Sequence, residues 1–198
     1  MRLEIVNLTK RIKGQLVLNQ LNLTVDSGEL VHIIGANGSG KSTLFKLIVN
    51  LMDADDGTIT LAPSTYVGAL IENPSFMENE SVKRNIEFLA KINHNYNEPR
   101  IRQLFQLFNL DYDNKKRIQG YSLGMRQKVG IIQSIMENQD LILLDEPTRG
   151  LDQEALETFQ SIVSNLIHEQ KTVIIASHDN LSELPFDRVL KLANGKLE

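Results

Sequence analysis

Short apolar segments separated by turn residues fill the first third of the chain. The segments are rich in Leu, Ile and Val and cover residues 3–6, 16–18, 21–25 and 30–34. Residues typical of turns lie between them, at 13–14 and 26–28. Short apolar runs bounded in this way are typical of β-strands. The pattern therefore predicts a β-rich N-terminal region.

Beyond residue 40, the apolar residues recur every three or four positions, which is the period of an α-helix. Helices are predicted over residues 41–51, 82–92, 101–110, 125–137 and 153–169. Further apolar runs predict strands at residues 58–61, 65–70, 141–144 and 172–176. The two ends of the chain are thus predicted to mix strands and helices, and the middle to be mostly helical.

This order of elements predicts an α/β fold in which helices cover a mostly parallel sheet. The chain has 198 residues, a length that suits one domain, so we expect residues 1–198 to form a single domain. A helical subdomain is expected as an insertion in the α/β core, at approximately residues 72–134.

The composition narrows the classes of protein to which the chain can belong. Its net charge is −4, and 41% of its residues are hydrophobic and 23% charged, as in an ordinary folded protein. Such an acidic chain is not expected to bind nucleic acid through phosphate contacts, and the lack of cysteine excludes disulfides and thiolate zinc sites. The apolar runs fall far short of the roughly 18 residues of a membrane span, and no signal peptide is readable. We therefore expect a cytoplasmic protein.

A glycine-rich segment directly follows the strand predicted at residues 30–34. Residues 35–42 read GANGSGKS, which fits the phosphate-loop pattern GxxxxGK[ST], and a predicted helix follows. Such a loop turns backbone amides toward phosphates, and the helix N-terminus adds partial positive charge. Lys41 would contact the β- and γ-phosphates, and Ser42 would ligate Mg²⁺. An ordinary glycine turn is the alternative interpretation. The predicted nucleotide-binding residues of the loop are Gly35, Ala36, Asn37, Gly38, Ser39, Gly40, Lys41, Ser42 and Thr43.

Two acidic residues follow the strand predicted at residues 141–144. Asp145 and Glu146 would lie at the carboxyl edge of the parallel sheet, where open α/β sheets bind ligands. Paired with the phosphate loop, Asp145 would hold Mg²⁺ through water, and Glu146 would polarise the water that attacks the γ-phosphate. Taken alone, an acid pair after a strand more often marks a solvated loop.

Together with further segments in the right order, these motifs resemble the ATP-binding-cassette (ABC) ATPases over nearly the whole chain. Residues 121–125, YSLGM, occupy the place of the LSGGQ signature and match it at Ser122 and Gly124. Asp152 lies in a segment similar to the D-loop, and His178 follows a predicted strand as the switch histidine does. The resemblance implies a P-loop NTPase core with an N-terminal antiparallel β-subdomain. It also implies a head-to-tail dimer, in which Ser122 and Gly124 of one subunit face the ATP of the other.

Two positions depart from the usual pattern of the family. Ile12 stands where an aromatic residue usually stacks on adenine, which predicts weakened selectivity for adenine over guanine. Glu72 stands in the place of a glutamine that links magnesium and the attacking water to the helical subdomain. A carboxylate can still ligate Mg²⁺ or order water there, although it adds negative charge beside the γ-phosphate. A solvent-exposed loop acid is the alternative interpretation of Glu72.

Glu72 and the Ser-Leu-Gly-Met signature resemble the ABC branch that serves export of, and self-protection against, peptide antibiotics of the bacitracin and lantibiotic kind. The resemblance implies an ATPase subunit that uses ATP and Mg²⁺ to drive a separate integral-membrane permease from the cytoplasmic face of the membrane. It would work as a homodimer or as a heterodimer with another ABC ATPase. The permease is expected to dock near residues 72–77. Members of this branch commonly extend beyond the nucleotide domain, and no such extension is expected after Glu198.

Two other hypotheses share the phosphate loop. A non-transport ABC ATPase would use its dimer as a clamp on nucleic acid or the ribosome, but the acidic charge and the lack of a basic tail weigh against it. A GTPase or small-molecule kinase is the other hypothesis. The guanine motif Asn-Lys-x-Asp is absent, however, and its nearest match, at residues 114–117, fails at the last position. We expect no nucleic-acid partner.

Overall fold

The computed structural model of the chain describes residues 1–178, 181 and 183–198. Within these residues the strands are β1 (Leu3–Ile12), β2 (Gln15–Val25), β3 (Leu30–Ile34), β4 (Asp56–Leu61), β5 (Val67–Leu70), β6 (Leu141–Asp145), β7 (Thr172–Ser177), β8 (Arg188–Ala193) and β9 (Lys196–Leu197). The helices are α1 (Lys41–Ile48), α2 (Val82–Ile92), α3 (Glu98–Leu107), α4 (Leu123–Ile135) and α5 (Gln153–His168).

The described strands form two sheets. Strand β1 pairs antiparallel with β2 and β4 in a three-stranded sheet. The six-stranded sheet has the order β5–β6–β7–β3–β8–β9, and its pairs are parallel except for β8 with β9. Every residue of β6 and β7 is buried, as expected for parallel strands that are covered on both faces. The predicted α/β fold with an N-terminal antiparallel sheet is therefore confirmed.

The strand order brings three predicted motifs to one edge of the larger sheet. Strand β7 lies between β6 and β3 and runs parallel to both. The phosphate loop follows β3, the acid pair lies at the end of β6, and His178 follows β7. Since the carboxyl ends of neighbouring parallel strands lie together, residues far apart in the sequence meet there.

The N-terminal strands are longer than the sequence predicts. The segments predicted at 16–18 and 21–25 form one strand, β2, which continues through Gln20 although the backbone of that residue is left-handed, with φ 49°. Pairing with β1 shifts at this point, from Lys10 opposite Leu18 to Leu8 opposite Leu21. This β-bulge interrupts the alternation of apolar and polar positions without ending the strand.

The region between β5 and β6 is largely helical, and the ends of its helices differ slightly from the prediction. Helix α2 has the predicted bounds. Helix α3 begins at Glu98 rather than at residue 101, because the side chain of Asn97 accepts a hydrogen bond from the Arg100 amide. Helix α4 packs against β5 so closely that a Cβ atom added to Gly68 would lie 1.9 Å from the Ser134 carbonyl oxygen.

Among the described helices, none combines the length and the apolar character that a membrane crossing requires.

Candidate functional site

The phosphate loop links β3 to α1, and its backbone is fixed by glycine. Gly38 and Gly40 have φ angles of 80° and 108°, in the left-handed region that side chains disfavour. The Lys41 side chain is 5% exposed, and its Nζ donates hydrogen bonds to the carbonyl oxygens of Gly35 (2.6 Å) and Ala36 (3.3 Å). The loop thus presents a buried cation at the N-terminus of a helix, which is an anion-binding arrangement.

The first acid of the pair contacts the loop directly. The Ser42 hydroxyl donates a 2.5 Å hydrogen bond to Asp145 Oδ2, and the backbone amide of Glu72 donates to the same oxygen at 3.3 Å. Asp145 is 2% exposed, and its burial raises the pKa of the carboxyl group, although the bond from Ser42 opposes the shift. The other oxygen, Oδ1, is buried without a hydrogen-bond partner.

These oxygens fit a magnesium ion that is completed by phosphate. No cluster of three or more His, Cys, Asp or Glu side chains suited to a metal occurs among the described residues. Mg²⁺, however, usually takes one or two protein oxygens together with substrate phosphates and water. The Ser42 hydroxyl and the unpaired Asp145 Oδ1, beside the phosphate loop, supply donors of that hard oxygen type.

The second acid lies between the loop lysine and the histidine. Glu146 Oε2 is 2.8 Å from His178 Nδ1 and accepts a 3.4 Å hydrogen bond from the His178 amide. Its Oε1 is 3.4 Å from Lys41 Nζ, close enough for an ion pair although beyond hydrogen-bond geometry. The backbone of Glu146 is left-handed, with φ 48°. One oxygen of the Glu146 carboxylate thus lies beside the Lys41 ammonium group, and the other lies beside the His178 imidazole.

A buried amide that sequence reasoning missed supports this acid. Gln127, on α4, is 3% exposed and donates hydrogen bonds to the carbonyl oxygens of Glu146 (3.0 Å) and Pro147 (3.1 Å). Gln127 therefore links α4, the helix that begins in the signature segment, to the backbone after β6. In the sequence, Gln127 is one polar residue of α4, and this is only a weak signal because most polar residues on helices face solvent.

A cavity of about 460 Å³ joins the loop and the acids to the β1–β2 turn. This volume lies within the usual range for small-molecule sites. The predicted residues Ile12 and Asp145 line the cavity, and so do Lys13, Gln15 and Val17, which were not predicted. The other lining residues are Asn37, Gly38, Gly40, Lys41, Ser42, Thr43, Glu72 and Glu146.

The predicted signature and D-loop residues lie outside this cavity within the described structure. Ser122 accepts a hydrogen bond from the Met125 amide and so caps α4. Gly124 packs on Gly150, where an added Cβ would lie 2.4 Å from the Gly150 carbonyl oxygen. Asp152 caps α5 by accepting from the Ala155 amide, and this bond lowers the pKa of its carboxyl group.

Glu72 lines the cavity, and its carboxylate is paired with a lysine of α1. Glu72 Oε1 lies 2.5 Å from Nζ of Lys46, on α1. Of the loop positions, Gly35, Ala36 and Ser39 support the lysine and the turn rather than line the cavity described here. In the predicted switch segment at residues 176–179, Asp179 lies outside the described residues.

Comparisons with known proteins agree with this geometry. A family model described as "ABC transporter" matches residues 18–149. The bacitracin transport ATP-binding protein BcrA of Enterococcus faecalis is 34% identical over 192 residues, which are 92% of this chain and 62% of that protein. The chain thus spans less than two thirds of the length of this relative.

Solved structures share the whole architecture. A structure described as the ATP-binding subunit of an ABC transporter is 26% identical, has a TM-score of 0.88 and is matched over 100% of this chain and 88% of its own. A dimeric ATP-binding cassette bound to ADP and Pi has the same fold, with a TM-score of 0.87 at 22% identity over 99% of this chain and 96% of its own. From its matched family model, its relatives and the phosphate loop that meets the acid pair, the chain belongs to the ATP-binding protein family of ABC transporters.

Proposed function

We propose that this chain is the ATP-hydrolysing subunit of an ABC transporter and that it powers a separate membrane permease. One observation carries the proposal: Lys41 and Ser42 of the phosphate loop contact Glu146 and Asp145 at the end of β6. A buried cation, a hydroxyl and two carboxylates around one cavity are the groups that phosphoryl transfer to water requires.

Nucleotide binding would use the loop from Gly35 to Thr43. Phosphate oxygens would replace the Gly35 and Ala36 carbonyl oxygens as partners of Lys41, whose Nζ is already buried at the loop. Ser42 and Asp145 would hold Mg²⁺, which neutralises charge on the β- and γ-phosphates when bound.

Hydrolysis would use Glu146 as the group that takes a proton from the attacking water. Its Oε2 is held by His178, so the carboxylate has a fixed orientation toward the cavity. His178 would position Glu146 and the water. Glu72 would join them on releasing Lys46, because in this conformation its carboxylate is engaged by that lysine.

The residues outside the cavity favour a two-subunit site. Ser122 and Asp152 cap α4 and α5, and Gly124 packs on the D-loop, so all three belong to one surface that does not contact the chain's own cavity. We propose that this surface closes the cavity of a second subunit, which is either an identical copy or another ABC ATPase. The N-terminus of α4 would add positive charge near the γ-phosphate.

The permease would dock at a second cavity, of about 250 Å³, between the sheet and the helical insertion. Pro74 and Leu51 line it, Leu51 is 72% exposed, and Met77 nearby is 38% exposed. Phe76 packs against the core and contributes less to this surface. The subunit would then work at the cytoplasmic face of the membrane. The name of the bacitracin relative supports transport of a peptide antibiotic.

We further propose that residues 1–198 form one nucleotide-binding domain, with the helical subdomain at approximately 72–134. The net charge of −4 disfavours the alternative, a clamp on nucleic acid.

The test is a Lys41→Ala variant. Removing the buried cation should weaken Mg-ADP binding by at least about 100-fold, since a charge-assisted phosphate contact is lost. Titration calorimetry measures the affinity, and phosphate release measures hydrolysis. Lys115→Ala, an exposed lysine of the helical region, is the matched control. Unchanged affinity in the Lys41 variant would refute the site.

A further inference from the structure

A buried histidine of the larger sheet contacts the residue that precedes His178. His32 is the middle residue of β3, and it is only 2% exposed. Its Nε2 lies 2.8 Å from Oγ of Ser177, the fully buried last residue of β7. His178 is the next residue in the chain. The hydrogen bond therefore holds the end of the strand from which the predicted switch histidine follows.

Ser177 also lies where the phosphate loop, the acid pair and the switch histidine meet. Its carbonyl oxygen accepts a 3.3 Å hydrogen bond from the amide of Gly35, at the start of the phosphate loop. The residue before it, Ala176, accepts a 2.8 Å hydrogen bond from the Glu146 amide. The residue after it, His178, contacts the Glu146 carboxylate at 2.8 Å. A shift of Ser177 would therefore move His178 relative to both the loop and the acid.

The ring of His32 also contacts the chain that follows His178. It stacks on the ring of Phe186, with the centroids 4.5 Å apart and the planes inclined by 18°. The next residue, Asp187, is hydrogen-bonded to the first residue of β3 through its amide (3.0 Å) and its carboxylate (2.8 Å). His32 thus touches residues at both ends of the segment that connects β7 to β8, and His178 begins that segment.

The His32 ring is a neutral hydrogen-bonding group at pH 7. Burial lowers the pKa of His32, although the charge of Glu146 opposes the shift. A neutral imidazole has one donor and one acceptor nitrogen, and the Ser177 hydroxyl can bond to either. The other residues of β3 are all apolar, so the histidine carries a desolvation cost that they do not. Its bond to Ser177 and its stack on Phe186 are the contacts that an aliphatic residue would not supply.

We infer that His32 is a positioning residue for ATP hydrolysis, which holds Ser177 and Phe186 so that His178 stays beside Glu146. The inference rests on the proposed ATPase function and adds a residue that does not line the nucleotide cavity within the described structure. Loss of its hydrogen bond should therefore slow hydrolysis without weakening nucleotide binding. A misplacement of about 1 Å in a reacting group can cost about 100-fold in rate, so a smaller shift of His178 should cost about tenfold.

The experiment separates the hydrogen bond of His32 from its ring. His32→Phe keeps a stacking ring but removes the nitrogen that faces Ser177, and Ser177→Ala removes the other partner with a smaller change in volume. Each should lower kcat about tenfold and leave the dissociation constant of Mg-ADP within about threefold. The double variant should also lose only about tenfold, because both changes remove the same bond. His32→Gln, whose amide carries a donor and an acceptor, should keep kcat within about threefold of the parent.

Thr172→Val is the matched control for Ser177→Ala. Thr172 is fully buried at the other end of β7, where its hydroxyl donates to the Asp26 carbonyl oxygen (3.3 Å) and accepts from the Gly28 amide (3.1 Å). Both variants should lower the Tm by about 2–4 °C, because each loses a buried hydrogen bond. Only Ser177→Ala should lower kcat. Phosphate release measures kcat, titration calorimetry measures the affinity, and thermal unfolding measures the Tm.

The outcomes separate this inference from the proposed function. Parental kcat values in His32→Phe and Ser177→Ala overturn the inference and leave the ATPase proposal standing; should His32→Phe fail to fold, the kcat of Ser177→Ala decides. The inference also fails if Thr172→Val lowers kcat as much as Ser177→Ala, or if His32→Gln is as slow as His32→Phe. If the unmodified chain neither binds Mg-ADP nor hydrolyses ATP, the proposed function and this inference fall together.

Discussion

Replacing Glu146 with Gln separates nucleotide binding from hydrolysis at this site. The amide keeps the shape of the side chain but cannot accept the proton of the attacking water. A positioned general base contributes about 10²–10⁴-fold to a rate, or about 3–5 kcal/mol of barrier. We therefore expect Glu146→Gln to lower the rate constant of hydrolysis at least about 100-fold.

The same variant should keep or slightly tighten nucleotide affinity. Glu146 Oε1 lies 3.4 Å from Lys41 Nζ, a gross attraction of about 5 kcal/mol at an effective dielectric constant of about 20. Desolvation of the two partners offsets most of this attraction. Lys41 also keeps its bond to the Gly35 carbonyl, so it is not left without a partner. Removing a carboxylate that competes with phosphate should thus favour the nucleotide, by less than about tenfold.

Phosphate release measures the rate, calorimetry measures the affinity, and size-exclusion chromatography with ATP detects a trapped dimer. Glu157→Gln, on the exposed side of α5, is the control with the same change in charge. Hydrolysis by Glu146→Gln at the parental rate would refute the role of this carboxylate. A loss of rate explained by a 100-fold loss of affinity would instead make Glu146 a binding residue.

Three further variants test the rest of the site, and Ser81→Ala is a control for the first of them. Ser122→Ala and Ser81→Ala each remove a helix N-cap, so each should lower the free energy of unfolding by about 1 kcal/mol, or the Tm by about 2–4 °C. Only Ser122→Ala should lower the rate of ATP hydrolysis, about tenfold or more. Equal hydrolysis rates in the two variants would contradict a signature role for Ser122. Asp145→Asn should raise Tm at pH 7 and weaken Mg²⁺-dependent nucleotide binding. Burial raises the pKa of Asp145 in the folded protein, so ionisation of this carboxyl group lowers the stability as the pH rises through that pKa, and this loss is absent in acid. A Tm of Asp145→Asn that falls equally at pH 4 and pH 7 would contradict this cause. Gly124→Ala should displace the segment at Gly150, because the new Cβ would lie 2.4 Å from the Gly150 carbonyl oxygen. The variant should therefore lower the free energy of unfolding by about 1–3 kcal/mol, as measured by denaturant unfolding. An unchanged free energy of unfolding would show that this segment moves without cost.

The strand prediction was wrong in places where the local apolar pattern and the pairing of the strands disagree. The bulge at Gln20 made one strand look like two, since a single extra residue reverses the alternation. Strands β8 and β9 were not predicted as elements, because β9 has only two residues and only one of the eight residues in the two strands is buried. Their place beside β3 comes from pairing with a strand far away in the sequence.

The sequence by itself determined the phosphate loop, because strand, glycine turn and helix follow one another locally and glycine adopts the positive φ angles at 38 and 40 without strain. It also predicted that Asp145, Glu146 and His178 carry the chemistry, and that assignment stays a prediction. The tertiary structure decided which of them meet. Ser42 and Asp145 are separated by 103 positions, and they touch because β3 and β6 both run parallel to β7, which places their carboxyl ends at the same edge of the sheet. It likewise turned Glu72 toward Lys46 and brought Lys13 to the cavity. The local apolar periodicity determines where a strand forms, whereas the burial of both faces of the sheet determines which strands lie next to that strand.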